Sequence, residues 1–315
     1  MLNGVVRRRM KLAGAADPGS AGHPGSASHA EGAASSPRTE VEIALLDWGG
    51  AGPLALLHHA NGFCAGMWAP IAERLRERFH VIAMDGRGHG DSSKPEDDDG
   101  YAWVRMLEDL VAVSERLLTE TGQERVALGL GHSFGGTLSL GAAAARPDHF
   151  ERVAMLDPVI LPPPAVRNEF PGRSNELAER ARRRRHHWAS RDEARAYFAE
   201  RAFFADWQPE VLDLYVAEGL RESGDGGVEL KCPGRVEAAV FEGARGYDIF
   251  EAARGLALPV RLIRATRGDF PRLVYEQLAE ILPGAEIEDL EAGHLIPMEC
   301  PDLAADAVLR FCDEG

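Results

Sequence analysis

Apolar and polar positions along the chain fall into two rhythms. Glu40 to Leu46 alternates, as a half-buried strand does. Leu54-Ala55-Leu56-Leu57 and His80-Val81-Ile82-Ala83-Met84 are short, nearly continuous apolar runs, the signature of strands buried on both faces. Residues 125–130 and 152–156 repeat that pattern. Between them, residues 104–121 carry Met106, Leu107, Leu110, Val113, Leu117 and Leu118 at helical spacing, and a second helix ends before Pro147. After Leu161-Pro162-Pro163-Pro164 the rhythm breaks, and residues 165–250 read as charged and helical, without strong strand signals. It resumes with a strand at 259–263, a helix at 271–282, a strand at 286–290 and a helix at 301–312. Strands alternating with helices predict an α/β fold with a mostly parallel central sheet flanked by helices. An interruption this long is too large for a structureless loop and predicts a helical insertion.

Composition narrows the class. The chain has 315 residues, 45% hydrophobic, enough to bury a core without disulfides or metals. Its formal charge of −15 disfavours nucleic acid as a partner. There is no run of eighteen apolar residues, so no membrane span is expected. The four cysteines (64, 232, 300 and 312) contain no C-x-x-C pair and read as reduced thiols of a cytoplasmic protein. Residues 1–38, rich in Gly, Ala, Ser and Pro, read as a disordered tail. Arg7-Arg8-Arg9 is not followed by an apolar stretch, which disfavours a secretory signal. The expected organisation is a tail at 1–38, a core domain at 39–161 and 251–315, and a helical cap at 162–250.

Gly131-His132-Ser133-Phe134-Gly135 lies between a predicted strand and a predicted helix. This is G-x-S-x-G in the setting of a nucleophile elbow, where glycines relieve crowding and the helix start faces developing negative charge. A serine nucleophile needs a base, and the base needs an orienting acid. His294, in the loop between the last strand and the last helix, fits the base best among the eleven histidines. Two carboxylates between Ser133 and His294 follow strands: Asp269 and Asp157. Strand order favours Asp269, which leaves Asp157 as a capping or pocket-lining group.

These residues resemble the α/β-hydrolase superfamily, in its serine-nucleophile, esterase- and lipase-like branch. The resemblance covers about residues 40–160 and 255–315. It includes His58-His59-Ala60-Asn61-Gly62-Phe63, similar to the family's oxyanion loop with an Ala-Asn insertion, and Asp85-Gly86-Arg87-Gly88-His89-Gly90-Asp91-Ser92, similar to its Asp-x-Arg-Gly-x-Gly-x-Ser turn. It implies backbone N–H donors at Phe63 and Phe134 for the oxyanion. It also places the cap at 162–250, and from their places in the chain Asn61, Met67, Trp68, His132 and Asp157 are pocket candidates. A serine at the elbow disfavours the dehalogenase and epoxide hydrolase branches, which use aspartate there. Adjacent His58 and His59 without further ligands do not suggest zinc, and no cofactor is expected.

The expected activity is hydrolysis of a small-molecule carboxylic ester through an acyl-enzyme, with Ser133, His294 and Asp269 as the triad. The alternatives on this fold are a carbon–carbon bond hydrolase, a thioesterase, a lactonase, an amidase, an acyltransferase, a cofactor-free oxygenase or a non-catalytic binding module. Arg180 and Arg182 to Arg185 read first as a solvated helix face and second as a patch for an acidic substrate. Oligomeric state is not legible.

Overall fold

The computed structural model describes residues 2, 4–12, 40–167, 172–224 and 226–314. The strands are β1 (Val6–Leu12), β2 (Val41–Gly49), β3 (Leu54–His58), β4 (His80–Met84), β5 (Leu128–His132), β6 (Val153–Leu156), β7 (His187–Trp188), β8 (Leu220–Glu222), β9 (Val228–Leu230), β10 (Val260–Arg267) and β11 (Glu286–Gly293). Eight of them form one sheet in the order β1-β2-β4-β3-β5-β6-β10-β11, parallel except where β2 runs against both its neighbours. The remaining three form a small antiparallel sheet, β7-β9-β8.

Helices α1 (Ala69–Leu75), α2 (Trp103–Thr121) and α3 (Phe134–Ala145) connect the first strands. In α2, Met106, Leu110, Val113 and Leu117 are buried on one face, and Gly122 ends the helix in the left-handed conformation at φ 68°. The sheet is covered on both faces, because the alternate residues of β3 divide between two cores: Leu54 and Leu56 on one side, Ala55 and Leu57 on the other.

The insertion between β6 and β10 holds α4 (Pro164–Arg167), α5 (Gly172–Arg183), α6 (Arg191–Ala199), α7 (Pro209–Glu218), α8 (Gly234–Gly243) and α9 (Ile249–Ala253). Its short strands were not anticipated; two or three residues each are too few for an alternation to register. A third core joins Trp188, Phe198, Trp207 and Tyr215 of the insertion to Phe63 and Met67 of the loop after β3 and to Leu295 and Met298. The Gln208 N–H also donates to the Met298 carbonyl at 3.0 Å. The insertion is thereby packed over the carboxyl edge of the sheet. The chain closes with α10 (Arg272–Ala279), α11 (Ile296–Glu299) and α12 (Pro301–Asp313).

One expectation is corrected. Residues 6–12, assigned to the tail, form β1, paired antiparallel with β2 from Val6↔Asp47 to Leu12↔Val41. Met10 and Leu12 point into the core, and the basic residues between find partners. Arg7 pairs with Glu218, Arg8 with Asp47 and Glu120, and Arg9 with Glu42. A run of arginines reads as solvated tail until acidic neighbours from distant parts of the chain are in place. Residues 13–38, the rest of that expected tail, lie outside the described residues, as does Thr39.

Met10 is 5% exposed within the main core. Met10→Ala is therefore expected to lower unfolding stability by about 2 kcal/mol, measured by urea denaturation. No loss would mean that β1 is not part of the folded unit.

Candidate active site

Ser133 stands between β5 and α3 with φ 55° and ψ −123°, a conformation few non-glycine residues hold. Its own N–H donates to the Leu156 carbonyl at 2.9 Å, while its carbonyl accepts from Gly136 and Thr137. The flanking glycines are dictated by space. A Cβ on Gly131 would stand 2.2 Å from the Gly135 carbonyl oxygen, and one on Gly135 would stand 2.3 Å from that of His58. The side chain is thus forced to the sheet edge at the start of α3. The Phe134 N–H occupies the first helical position, where no carbonyl within the helix can reach it.

His294 follows β11 and precedes α11. The Glu299 carboxylate pins both sides of it, accepting from the N–H of Gly293 at 2.6 Å and of Leu295 at 3.3 Å. The Ser133 hydroxyl donates to His294 Nε2 at 2.9 Å, and His294 Nδ1–H donates to Asp157 Oδ2 at 2.6 Å. Asp157 is 1% exposed. Its Oδ1 accepts from the Ala265 N–H at 2.8 Å and from the Tyr275 hydroxyl at 2.6 Å.

The carboxylate brought to His294 is therefore Asp157, not Asp269. Strand register explains the difference. β6 and β10 are paired with Leu156 opposite Ile263, so Asp157, the first residue after the shorter strand, emerges beside β5 and the serine. β10 continues four residues beyond that level before its chain turns, with the Gly268 N–H on the Ala265 carbonyl at 3.1 Å. Gly268 packs directly on the acid: a Cβ there would lie 2.5 Å from Asp157 Oδ2. Asp157 also takes a positive φ of 40°, which aspartate tolerates better than most residues. The order of the three groups along the chain, serine, acid, histidine, is unchanged.

The expected oxyanion loop needs a second correction. The Phe63 N–H is spent in a turn, donating to the Ala60 carbonyl at 3.2 Å, and its ring packs on Trp207 and Tyr215 in the insertion. Asn61 Nδ2 donates to the Glu237 carbonyl at 3.0 Å, so this side chain ties the loop to α8. Met67 faces the insertion, whereas Trp68 packs with Trp48, Leu57 and Leu75 in the core on the other side of the sheet.

Four buried histidines brace the surroundings. His132 Nε2–H donates to the His294 carbonyl at 2.8 Å. His58 and His59 donate from Nδ1 to the carbonyls of His59 and Ala60, and His59 Nε2 accepts the Gly86 N–H at 2.9 Å. His89 accepts the Gly62 N–H at 3.1 Å. Burial pushes His58 and His132 down to about 3 and His59 down to about 4, and lowers His89 as well. The Asp-x-Arg turn is braced too: Arg87 pairs with Asp109 inside the protein, and Asp85 accepts the N–H groups of Ala65 and Asp91. Arg182, Arg183 and Arg185 keep to the expected exposed face, on Glu242, Glu179 and Glu193, whereas Arg184 turns inward to pair with Glu237 and to donate to the buried Tyr215 hydroxyl. Tyr275 and Glu299 had no sequence signal, since a tyrosine in α10 looks like packing and a glutamate ending the short α11 looks like surface.

A family model described as the α/β-hydrolase fold matches residues 53–209. A lipase of Mycobacterium tuberculosis, LipV, is 30% identical over 286 residues, 86% of this chain and 97% of that protein. The chain belongs to the α/β-hydrolase family. It is also similar to N-formylmaleamate deformylase of Pseudomonas putida, 29% identical over 257 residues, 81% of this chain and 86% of that protein. Among solved structures, that of E-2-(acetamidomethylene)succinate hydrolase superposes with a TM-score of 0.73 at 23% identity, covering 87% of this chain and 96% of that one. Among the described residues of this α/β hydrolase no helix is long and apolar enough to cross a membrane.

The buried histidines set an acid limit on stability. Their folded values lie below the unfolded value of about 6.5, so only the unfolded chain takes up protons as pH falls from there toward 4. Stability is expected to be full above about pH 7 and to fall by about 2 kcal/mol per buried histidine by pH 5, read from denaturation midpoints across that range. A flat profile between pH 7 and 5 would contradict it.

Proposed function

We propose that this chain is a serine hydrolase that cleaves a carboxylic ester of a small molecule through an acyl-enzyme. The observation that carries the reading is the unbroken relay from the Ser133 hydroxyl to His294 Nε2 and from His294 Nδ1–H to Asp157. His294 takes the serine proton as Ser133 attacks the carbonyl. Asp157 holds the ring tautomer that leaves Nε2 free to accept, and offsets the imidazolium charge. The Phe134 N–H, together with an N–H from the 59–61 loop above the start of α3, receives the oxyanion. His294 then protonates the leaving alcohol, and water repeats the cycle on the acyl-enzyme. The insertion between β6 and β10 acts as the cap: it packs on the loops that carry Phe63 and Leu295, and Ser133 is 6% exposed, so the acyl group is held out of bulk water.

A second reading is cleavage of an acyl–nitrogen bond by the same residues. It is favoured by the relative that acts as a deformylase on an N-formyl compound and aligns over 86% of its own length. The chemistry differs in the leaving group, and His294 would deliver its proton to nitrogen instead of oxygen.

Hydrolysis of p-nitrophenyl esters of increasing acyl length, beside N-formyl and N-acetyl amides, tests both. Ser133→Ala is expected to abolish turnover with the fold intact. Asp157→Asn is expected to lower kcat about 10⁴-fold and Asp269→Asn less than about tenfold. Ester turnover that survives Ser133→Ala would sink the proposal, and amide turnover exceeding ester turnover would favour the second reading.

A further inference from the structure

Asp157 carries two oxygens, and only one faces His294. A carboxylate free to rotate about its Cβ–Cγ bond would exchange them and loosen its hold on the imidazole. Oδ1 is instead held by two donors from successive elements: the Ala265 N–H of β10 and the hydroxyl of Tyr275 on α10. The Tyr275 hydroxyl is the closer of the two, at 2.6 Å, a length typical of donation to an ionised acceptor. Gly268 leaves no room on the remaining side, where an added Cβ would stand 2.5 Å from Oδ2.

Tyr275 is fully buried, and its ring belongs to the main hydrophobic core. Phenylalanine would fill the same volume. Burying a hydroxyl costs free energy unless it is paired, and the partner here is the acid. Burial and the neighbouring Asp157 charge also push the Tyr275 hydroxyl far above its ordinary value, so it remains a donor.

We propose that Tyr275 is a positioning residue, clamping Asp157 Oδ1 so that Oδ2 stays on His294 Nδ1 and Nε2 stays aimed at Ser133. This rests on the Ser133–His294–Asp157 reading. Tyr275 touches no reacting atom; its effect passes through Asp157 to the orientation of the base. Such an effect falls on the chemical step and leaves substrate binding alone.

The test is Tyr275→Phe in the full chain, with kcat and KM measured on a p-nitrophenyl ester and the fold checked by thermal melting. One oxygen is lost and the ring is kept, so the variant retains the core. The expected result is a fall in kcat of roughly tenfold with KM within about twofold. The far-downfield proton resonance of the His294–Asp157 hydrogen bond should move or broaden in the same variant, a change that a purely structural role would not cause. Tyr275→Leu, which removes hydroxyl and ring together, should lose both kcat and thermal stability, separating the two contributions. Unchanged kcat and an unchanged resonance in Tyr275→Phe, with Asp157→Asn still crippled, would overturn the positioning role and leave the triad standing. A mild Asp157→Asn would overturn the triad reading and this inference with it.

Discussion

The tightness of the turn at Ser133 is the constraint on which the rest of the site depends. The chain reverses from strand to helix with no room for a side chain on either flank, since a Cβ on Gly131 or Gly135 would collide with a backbone carbonyl oxygen. The strained serine is held by its place between β5 and α3 and by the bond to the Leu156 carbonyl. Because that carbonyl ends β6, the same contact places the next residue, Asp157, at the serine's level. Ser133 and Asp157 are therefore set by neighbouring strands of one rigid sheet, and only His294 arrives on a loop.

That loop is made stiff in other ways. Glu299 grips the backbone on both sides of His294, and His132 grips its carbonyl. Opposite it, His59 and His89 tie the 59–63 loop to the Asp85–Ser92 turn. These histidines are effective as neutral braces because burial keeps them from charging, and each satisfies a backbone group that would otherwise be orphaned. The polar groups around the serine are thus arranged before substrate arrives, which is the condition for electrostatic stabilisation without reorganisation.

Much of this was legible in the chain. The buried strands at 54–58, 81–84 and 153–156, the helix at 103–121 and the elbow announced themselves because period and glycine placement are local properties. Ser133 and His294 were likewise marked by their place between elements. Two kinds of feature were not. β1 was hidden because Arg7, Arg8 and Arg9 become tolerable in a strand only through Glu218, Glu120, Asp47 and Glu42. The Phe63 N–H was misread because a motif with two inserted residues does not reveal which amide closes the turn.

The sequence by itself determined the α/β architecture, the places of Ser133 and His294 between their elements, and the place where a helical insertion interrupts the sheet. It did so because hydrophobic period, turn residues and the order of elements need no knowledge of distant contacts. Tertiary structure alone decided between Asp157 and Asp269. Both follow parallel strands and both precede His294, and what separates them is the register of β6 against β10, the donors of Ala265 and Tyr275, and the space left by Gly268. Those are relations between residues more than a hundred positions apart, and they exist only once the sheet has formed.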